Sequence, residues 1–167
     1  NKVNGVNKIT AIIQGQVMAS ANGKSTGALV RGLKPKDLAE KRMIASNILF
    51  GDLKNFRGTN AVIIGTRLAE NLNLRVGDKI TLISPKGSIT VFGTVPRLRT
   101  YSVIGLFNVG MHEYDSSFIF MPLVAAQKYF RLPDSVHYMD IVVSNPDNVK
   151  KIALDILKII GPDKRIF

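Results

Sequence analysis

The segment that begins at His112 contains the side-chain types of a hydrolase. His112 is followed by Glu113, Asp115, Ser116 and Ser117, so a base, two carboxylates and two hydroxyls lie close together in the chain. A catalytic serine of the hydrolase type lies in a G-x-S-x-G turn between a strand and a helix, and neither serine has that context. We therefore interpret these side chains as turn residues that hydrogen-bond nearby backbone, and we predict no enzymatic activity.

Patterns for a cofactor are also missing from the sequence. His112 and His137 are the two histidines, and neither has a second His or a carboxylate at the spacing of metal ligands. The absence of Cys excludes disulfides, thiolate nucleophiles and Cys-based metal sites. Neither G-x-x-x-x-G-K-[ST] nor G-x-G-x-x-G occurs, so we expect no metal, no cofactor and no ATP hydrolysis by this chain.

The length and composition indicate a folded protein. Its 167 residues can bury a real core, as one domain or two small subdomains, and 46% of them are apolar. The apolar runs are too short for a membrane span, which needs roughly 18 residues. Because the chain starts at Asn1 without a signal-peptide pattern, we expect it to be a segment of a larger protein.

The charge of the chain narrows the class of partner. A net charge of +11 and a pI near 10.1 favour nucleic acid, an anionic membrane surface or an acidic protein. A generally basic composition without such a partner is the alternative. Aromatic residues that could stack on bases are few, at 7% of the chain, which weakens the nucleic-acid interpretation.

Hydrophobic periodicity and turn residues predict an α+β fold that is rich in strands in the middle of the chain. Asn22-Gly23 is the strongest hairpin signal and suits a type I′ turn. The predicted strands are Ile9–Ala19, Ala28–Leu33, Ala61–Ile64, Lys79–Ile83, Tyr101–Phe107, Phe118–Met121 and Met139–Val143. The predicted helices are Asp37–Ser46, Arg67–Leu72, Leu123–Phe130 and Asp147–Ile160, with Asp37 and Asn145 as N-caps, whereas residues 108–117 are predicted to be irregular.

The stretch Ser84–Tyr101 lies between two predicted strands and is interpreted as a loop at the tip of a hairpin. Most hairpin loops have about two to five residues, and this one is much longer. Pro85 and Pro96 stiffen its ends, and its middle is apolar with flanking basic residues. Such an apolar loop has to be covered either by the domain or by a partner.

Three segments together resemble a known family. They are VRGLKP at Val30–Pro35, VIIGTRLAENLNLRVGDKITLI at Val62–Ile83 and PRLRTYSVIGLFNVGMHEYDSSFIFMPLVAAQ at Pro96–Gln127. They resemble the periplasmic domain of the permease subunits of the lipoprotein-releasing (Lol) ABC transporter, the LolC/LolE family within the MacB-like periplasmic core superfamily. The resemblance runs from about Ala28 to the last helix.

The resemblance implies a division into two parts and a place in the cell. Residues 1–33 and 134–167 would form a βα Porter-like subdomain, and residues 34–133 an inserted, strand-rich Sabre-like subdomain. The Hook, a protruding β-hairpin, would have its loop at residues 84–101. The domain would be periplasmic and non-catalytic, anchored in the inner membrane of a Gram-negative bacterium by helices outside this segment. A second permease subunit and a separate cytoplasmic ATPase (LolD-like) would complete the transporter, and that ATPase would use the ATP.

The same resemblance assigns a partner to the Hook. In one branch of the family the Hook recruits LolA, the periplasmic carrier that receives outer-membrane lipoproteins, and in the other branch the permease mainly engages the lipoprotein. The Hook and its base correspond here to Pro85, Ile89, Val91, Phe92, Gly93, Thr94, Val95, Pro96, Arg97, Leu98 and Arg99. We expect Phe92 to be the apolar anchor, and Arg97 and Arg99 to pair with carboxylates of the partner.

Two departures and one further motif leave the branch open. The anchor is Phe92 where a flexible Met would suit a lipid carrier, and the loop is about one residue shorter than in the family. EYDSS at residues 113–117 resembles the lipoprotein-engaging (LolE-type) branch, so a hybrid permease with both roles is a further interpretation. The alternatives outside this family are a MacB-like exporter domain and, in another class, a nucleic-acid-binding module whose binding would fall steeply with salt.

Overall fold

The computed structural model describes residues 4–90 and 93–160, and the side chains of residues 85–90, 93, 94 and 160 are not among the features described. The strands are β1 Val6–Ala21, β2 Lys24–Leu33, β3 Ile48–Gly51, β4 Ala61–Gly65, β5 Lys79–Thr90, β6 Gly93–Phe107, β7 Phe118–Pro122 and β8 Tyr138–Val143. The α-helices are α1 Pro35–Glu40, α2 Arg42–Ala45, α3 Thr66–Leu72, α4 His112–Ser117, α5 Leu123–Phe130 and α6 Val149–Ile160, and Leu53–Asn55 and Pro146–Asn148 are 3-10 turns.

The chain divides into two compact units. The larger comprises Ile12–His137, and the smaller combines the residues up to Ala11 with those from Tyr138 on. The sequence analysis placed the boundaries at 33/34 and 133/134, whereas residues 12–33 lie in the larger unit because the second half of β1 and all of β2 pair within it. The Porter-like and Sabre-like identities of the two parts stay predictions.

Six strands of the larger unit form a closed ring of pairings in the order β1-β2-β7-β4-β6-β5, which returns to β1. The β2–β7 and β4–β6 pairs are parallel, and the other four are antiparallel. Closure removes the unpaired edges that would otherwise be open to other chains. β3 pairs with the C-terminal end of β6, where Phe50 lies opposite Leu106. This ring provides a firm base for the long β5–β6 hairpin.

The core lies on β4 and β7, whose residues are all buried. The predicted buried strand at Ala61–Ile64 is therefore confirmed. One side is covered by Leu38 of α1, Ile44 of α2 and Phe56 after the first 3-10 turn. These side chains join a cluster with Phe107 and Phe120, whose rings meet edge to face at 5.4 Å. Burial of this apolar surface is the main stabilising contribution to the ring.

The hairpin predicted at Asn22-Gly23 is confirmed. β1 and β2 pair antiparallel from Ile13↔Gly32 to Ala21↔Lys24, and the two residues between the strands have positive φ of 52° and 75°. A type I′ turn requires positive φ at both of these positions, and Asn and Gly are the residues that tolerate it best. The turn is also tied to α3, because the Asn22 amide donates to the carbonyl oxygens of Leu72 and Asn73.

The helix predicted over Asp37–Ser46 is wrong in its start and its continuity. α1 begins at Pro35, which suits the first position of a helix because its φ is fixed and its missing N–H needs no partner. Asp37 is therefore a buried residue of the first turn rather than the N-cap, and the backbone at Lys41 (φ −77°, ψ 82°) interrupts the helix before α2. Residues 108–117 were likewise predicted to be irregular, and their second half forms α4.

Ser84–Tyr101 belongs to a β-hairpin, as expected, but the long loop predicted at its tip is wrong. β5 continues to Thr90 and β6 starts at Gly93, so the stretch consists mainly of two paired arms. Pairing runs inward from Thr90↔Gly93, shifts register between Ser88 and Ser84, and continues to Lys79↔Ser102. Alternating apolar and polar residues together with β-branched side chains favour an extended ribbon over a disordered loop.

The smaller unit ends in the predicted strand and helix. β8 pairs with β1, and Asn145 caps the next turn by accepting a hydrogen bond from the Asp147 N–H at 2.9 Å. The helix was predicted from Asp147, but its first turn is the 3-10 turn and α6 starts at Val149. The predicted stop at Gly161-Pro162 lies outside the described residues. Within the described ranges, every helix is too short or too polar to cross a bilayer.

Candidate docking site

The arms of the β5–β6 hairpin carry the residues that the sequence analysis assigned to the partner. Pro85 and Ile89 belong to β5. The β6 arm holds Gly93, Thr94, Val95, Pro96, Arg97, Leu98 and Arg99. Val91 and Phe92 lie outside the described residues. The pairing of β5 with β6 brings the two arms together, and the role of all eleven residues stays a prediction.

Two large apolar side chains of the β6 arm are exposed. Val95 has 53% of its surface accessible, and Leu98 has 61%. Ile83 pairs with Leu98 across the hairpin, and it is half-buried. A partner that covered these side chains would gain about 25 cal/mol for each Å² of apolar surface removed from water, so they mark a candidate docking surface.

Arg97 and Arg99 project from the base of the hairpin into different settings. The Arg97 Nη1 atom donates a hydrogen bond to the carbonyl oxygen of Tyr129, and its Cζ atom is 6.0 Å from the centroid of the Tyr129 ring. The Arg99 Cζ atom is 5.8 Å from the centroid of the Tyr101 ring. Sequence analysis expected both arginines to face a partner, whereas the structure ties Arg97 to α5.

Tyr101 and Tyr129 are functional-site neighbours that the sequence analysis did not single out. Their rings are fully buried and meet edge to face at 6.1 Å, although 28 positions separate them in the chain. Both hydroxyls and the Nε atom of Arg97 are buried without a hydrogen-bond partner among the described residues. The sequence hinted only at Tyr101, because it is the last residue of the unusually long stretch Ser84–Tyr101. Nothing local indicated Tyr129, because the two meet through tertiary packing.

Burial sets the ionisation of this pair. Desolvation raises the pKa of Tyr101 from 10.0 to about 12, and the charges of Arg99 and Arg97 oppose that rise. Desolvation likewise raises the pKa of Tyr129, with a further rise from Tyr101 and an opposing effect of Arg97. Both phenols are therefore neutral at physiological pH, and the hairpin base contains no negative charge from them.

We expect the domain to lose stability as the pH rises from about 10 to about 12. In this window the unfolded chain loses the Tyr101 proton while the folded chain keeps it, so the stability present below pH 10 declines. Tyr101 alone accounts for about 2–3 kcal/mol of that decline, from the difference between its two pKa values. Thermal unfolding at a series of alkaline pH values measures the effect.

Tyr101→Phe is the matched variant for this measurement. Because the hydroxyl has no described partner, its removal should leave the melting temperature near neutral pH unchanged or slightly higher. The variant should also show a shallower decline at alkaline pH. An identical alkaline profile of the two proteins would contradict the assignment of the decline to Tyr101.

The Asp and Ser side chains that follow His112 hydrogen-bond nearby backbone groups, as the sequence analysis predicted. Asp115 is buried, and its Oδ1 atom accepts the Val109 N–H at 2.8 Å. The Ser116 hydroxyl donates to the carbonyl oxygen of His112 at 2.6 Å, and Ser117 donates to that of Glu113. These bonds hold α4 and the turn before it.

The second histidine is also part of the backbone network. The Nδ1 atom of His137 accepts the Gln14 N–H at 3.1 Å, and the His137 N–H donates to the Ile12 carbonyl oxygen at the same distance. In the described part of the chain, no three His, Asp or Glu side chains are grouped as metal ligands. The exposed apolar side chains of the hairpin make it the candidate site.

Comparison with known proteins identifies the family. The model of the MacB-like periplasmic core domain matches residues 1–159, nearly the whole chain. The chain belongs to this family. A curated relative is the lipoprotein-releasing system transmembrane protein LolC of Neisseria meningitidis serogroup B, which is 27% identical over 146 residues. The match covers 87% of this chain and 35% of the relative, so the chain spans about a third of the length of that protein.

Solved structures show the same fold. The extracellular domain of the noncanonic ABC-type transporter YknZ from Gram-positive bacteria matches with a TM-score of 0.63 at 16% identity, over 90% of this chain and 72% of that one. The periplasmic region of MacB from Actinobacillus actinomycetemcomitans matches with a TM-score of 0.59 at 13% identity, over 95% of this chain and 68% of that one. The mixed α+β fold is thus that of MacB-like periplasmic domains.

Proposed function

We propose that this chain is the periplasmic domain of a permease subunit in a lipoprotein-releasing ABC transporter of the inner membrane. Membership of the MacB-like periplasmic core family and the similarity to LolC support this proposal. The domain itself performs no chemistry, and a separate cytoplasmic ATPase uses the ATP. A second permease subunit completes the transporter, and outer-membrane lipoproteins are its cargo.

We further propose that the β5–β6 hairpin recruits the soluble periplasmic lipoprotein carrier LolA. The observation that carries this step is a two-stranded ribbon whose β6 arm has exposed Val95 and Leu98 and a basic side chain, Arg99. Other exposed apolar residues exist, such as Phe50 at 60%, but Phe50 lies on β3 beside the ring rather than on a ribbon. The apolar residues provide affinity, whereas Arg99 contributes to orientation and association rate.

The likeness of residues 113–117 to the lipoprotein-engaging branch does not require that this segment bind lipoprotein. Asp115 of that motif is buried and holds the Val109 backbone, so it acts in folding rather than at a surface for cargo. The exposed hairpin supports carrier docking as the primary role. A MacB-like exporter domain would not need such an apolar ribbon at this place.

A shortened hairpin tests the proposed function. Residues 85–96 are replaced by Asn-Gly, which joins the paired residues Ser84 and Arg97 through a two-residue turn. The ring should stay intact, because its pairings involve Thr81–Ile83 of β5 and Ser102–Phe107 of β6. We expect the parent domain to bind the carrier in calorimetry and the shortened domain to show no detectable binding.

Two outcomes of this experiment would contradict the proposal. One is a folded shortened domain that binds the carrier as tightly as the parent, which would place the docking surface elsewhere. The other is a parent domain that does not bind the carrier and instead binds single-stranded oligonucleotides. The affinity would then fall steeply with salt concentration, as expected of a nucleic-acid-binding module.

A further inference from the structure

The outer part of the hairpin needs contacts that set its direction. From Ser84 and Arg97 outward, β5 and β6 pair only with each other among the described residues, because β1 reaches only Ile83 and β4 begins to pair at Ser102. A two-stranded ribbon by itself is marginally stable in water. Side-chain contacts at its base would therefore help to fix its orientation on the larger unit.

Arg97 provides such a contact with α5. It donates to the carbonyl oxygen of Tyr129, which lies in the last turn of that helix. Carbonyls in the last turn lack partners within the helix, and a positive charge is favourable there. Tyr129 is itself fully buried, so the hydrogen bond joins the hairpin base to a rigid part of the larger unit.

Stability alone does not explain an arginine at this position. The Nε atom of Arg97 is buried without a described partner, and burying an unsatisfied donor is unfavourable. An aliphatic side chain would pack against the Tyr129 ring without that cost. By contrast, Arg99 lies over the Tyr101 ring and makes no hydrogen bond or ion pair within the described ranges. Its guanidinium group is available to a partner.

We propose that Arg97 is a positioning residue for carrier docking, whereas Arg99 keeps the carrier contact that the proposed function already gives it. The contact of Arg97 with α5 holds the hairpin in the direction in which Arg99, on the same face of β6, meets the carrier. The inference rests on the proposed function, because it assigns separate roles within the same docking surface. It replaces the expectation that both arginines pair with carboxylates of the partner.

Binding of the carrier to variants of the whole chain tests this assignment at several salt concentrations. We expect Arg97→Met to raise the Kd about tenfold, because the hairpin loses its preferred direction before binding. Its salt dependence should match that of the parent, because no charge pair with the carrier is lost. Arg99→Met should instead reduce the salt dependence. Arg67→Met, which removes an exposed arginine of α3, is the control and should bind as the parent does.

Hydrogen exchange provides a second readout that does not involve the carrier. In Arg97→Met, amides of both hairpin arms should exchange faster, while those of β4 and β7 keep the parental rates. Arg97→Lys keeps a donor for the Tyr129 carbonyl and should lie between the parent and Arg97→Met in both measurements. If Arg97→Met does not fold, Arg97→Lys replaces it as the test variant in both measurements.

The two readouts separate this inference from the proposed function. A parent that fails to bind the carrier overturns the proposed function, and the exchange data then still decide whether Arg97 orients the hairpin. Parental exchange rates in Arg97→Met would overturn the positioning role. An equal loss of salt dependence in Arg97→Met and Arg99→Met would also overturn it, because Arg97 would then contact the carrier directly.

Discussion

Replacement of Phe92 by aspartate is expected to weaken carrier binding roughly 10- to 100-fold and to leave the stability of the domain unchanged. Covering a Phe ring contributes about 1.5–3 kcal/mol, and each 1.4 kcal/mol corresponds to about a tenfold change in affinity. The aspartate would add the unfavourable desolvation of a charge. Calorimetric titration of the carrier into each variant measures the change.

The choice of Phe92 combines its sequence position with the surface beside it. It precedes Gly93 at the central apolar position of the Hook in the resembling family, and its own position lies outside the described residues. The nearest described large apolar residues on β6, Val95 and Leu98, are exposed. Because Val95 is only three residues from Phe92 in the chain, we expect a partner that covers Phe92 to contact Val95 as well.

Two further variants make this prediction specific. Phe92→Met keeps an apolar, more flexible side chain and should bind within about threefold of the parent, because its burial contributes a similar free energy. Leu154→Asp places the same charge at a side chain of α6 that is 59% exposed, nearly as much as Leu98, and should not affect binding. Parental affinity of Phe92→Asp, or equal losses in Phe92→Asp and Leu154→Asp, would exclude Phe92 as the anchor.

The second large effect is expected at Gly65, where β4 passes into α3. A Cβ atom on Gly65 would lie 2.2 Å from the carbonyl oxygen of Asp115 and 2.7 Å from its Cα atom. These are backbone atoms of α4, which cannot move aside as a flexible side chain would. Displacing them would also disturb the hydrogen bond from Val109 to the buried Asp115 carboxylate. We expect Gly65→Ala to lower the free energy of unfolding by about 3 kcal/mol or more.

Thermal and denaturant unfolding measure this loss. A decrease of about 3 kcal/mol corresponds to a fall in Tm of roughly 6–12 °C for a domain of this size. Gly27→Ala is the matched control, because a Cβ atom on this β2 glycine meets nothing within 4 Å. The control should change stability by less than about 1 kcal/mol. Similar losses for the two variants would show that the approach of α4 to Gly65 is not the cause.

Several elements were predictable because their signals are local. Asn22-Gly23 requires the positive φ values that the structure shows. The apolar run Ala61–Ile64 is a fully buried strand. The helix predicted over Leu123–Phe130 from the proline before it is confirmed, with Pro122 as its N-cap. The side-chain types of Asp115 and its neighbouring serines correctly indicated hydrogen bonds to the backbone. In each case the conformation depends on the side chains of a few consecutive residues, so a short stretch of sequence is enough to predict it.

The closed ring and the base of the hairpin were decided by tertiary structure. No local pattern indicates that β1 pairs with β5, or that β4 and β6 run parallel, because such pairings depend on how distant segments share one core. The sequence placed Arg97 and Arg99 two residues apart and made them look equivalent. Their difference arises from α5, whose Tyr129 carbonyl lies next to one of them. The residue types of the candidate docking surface were thus predictable from the sequence, whereas the different surroundings of the two arginines depend on tertiary packing.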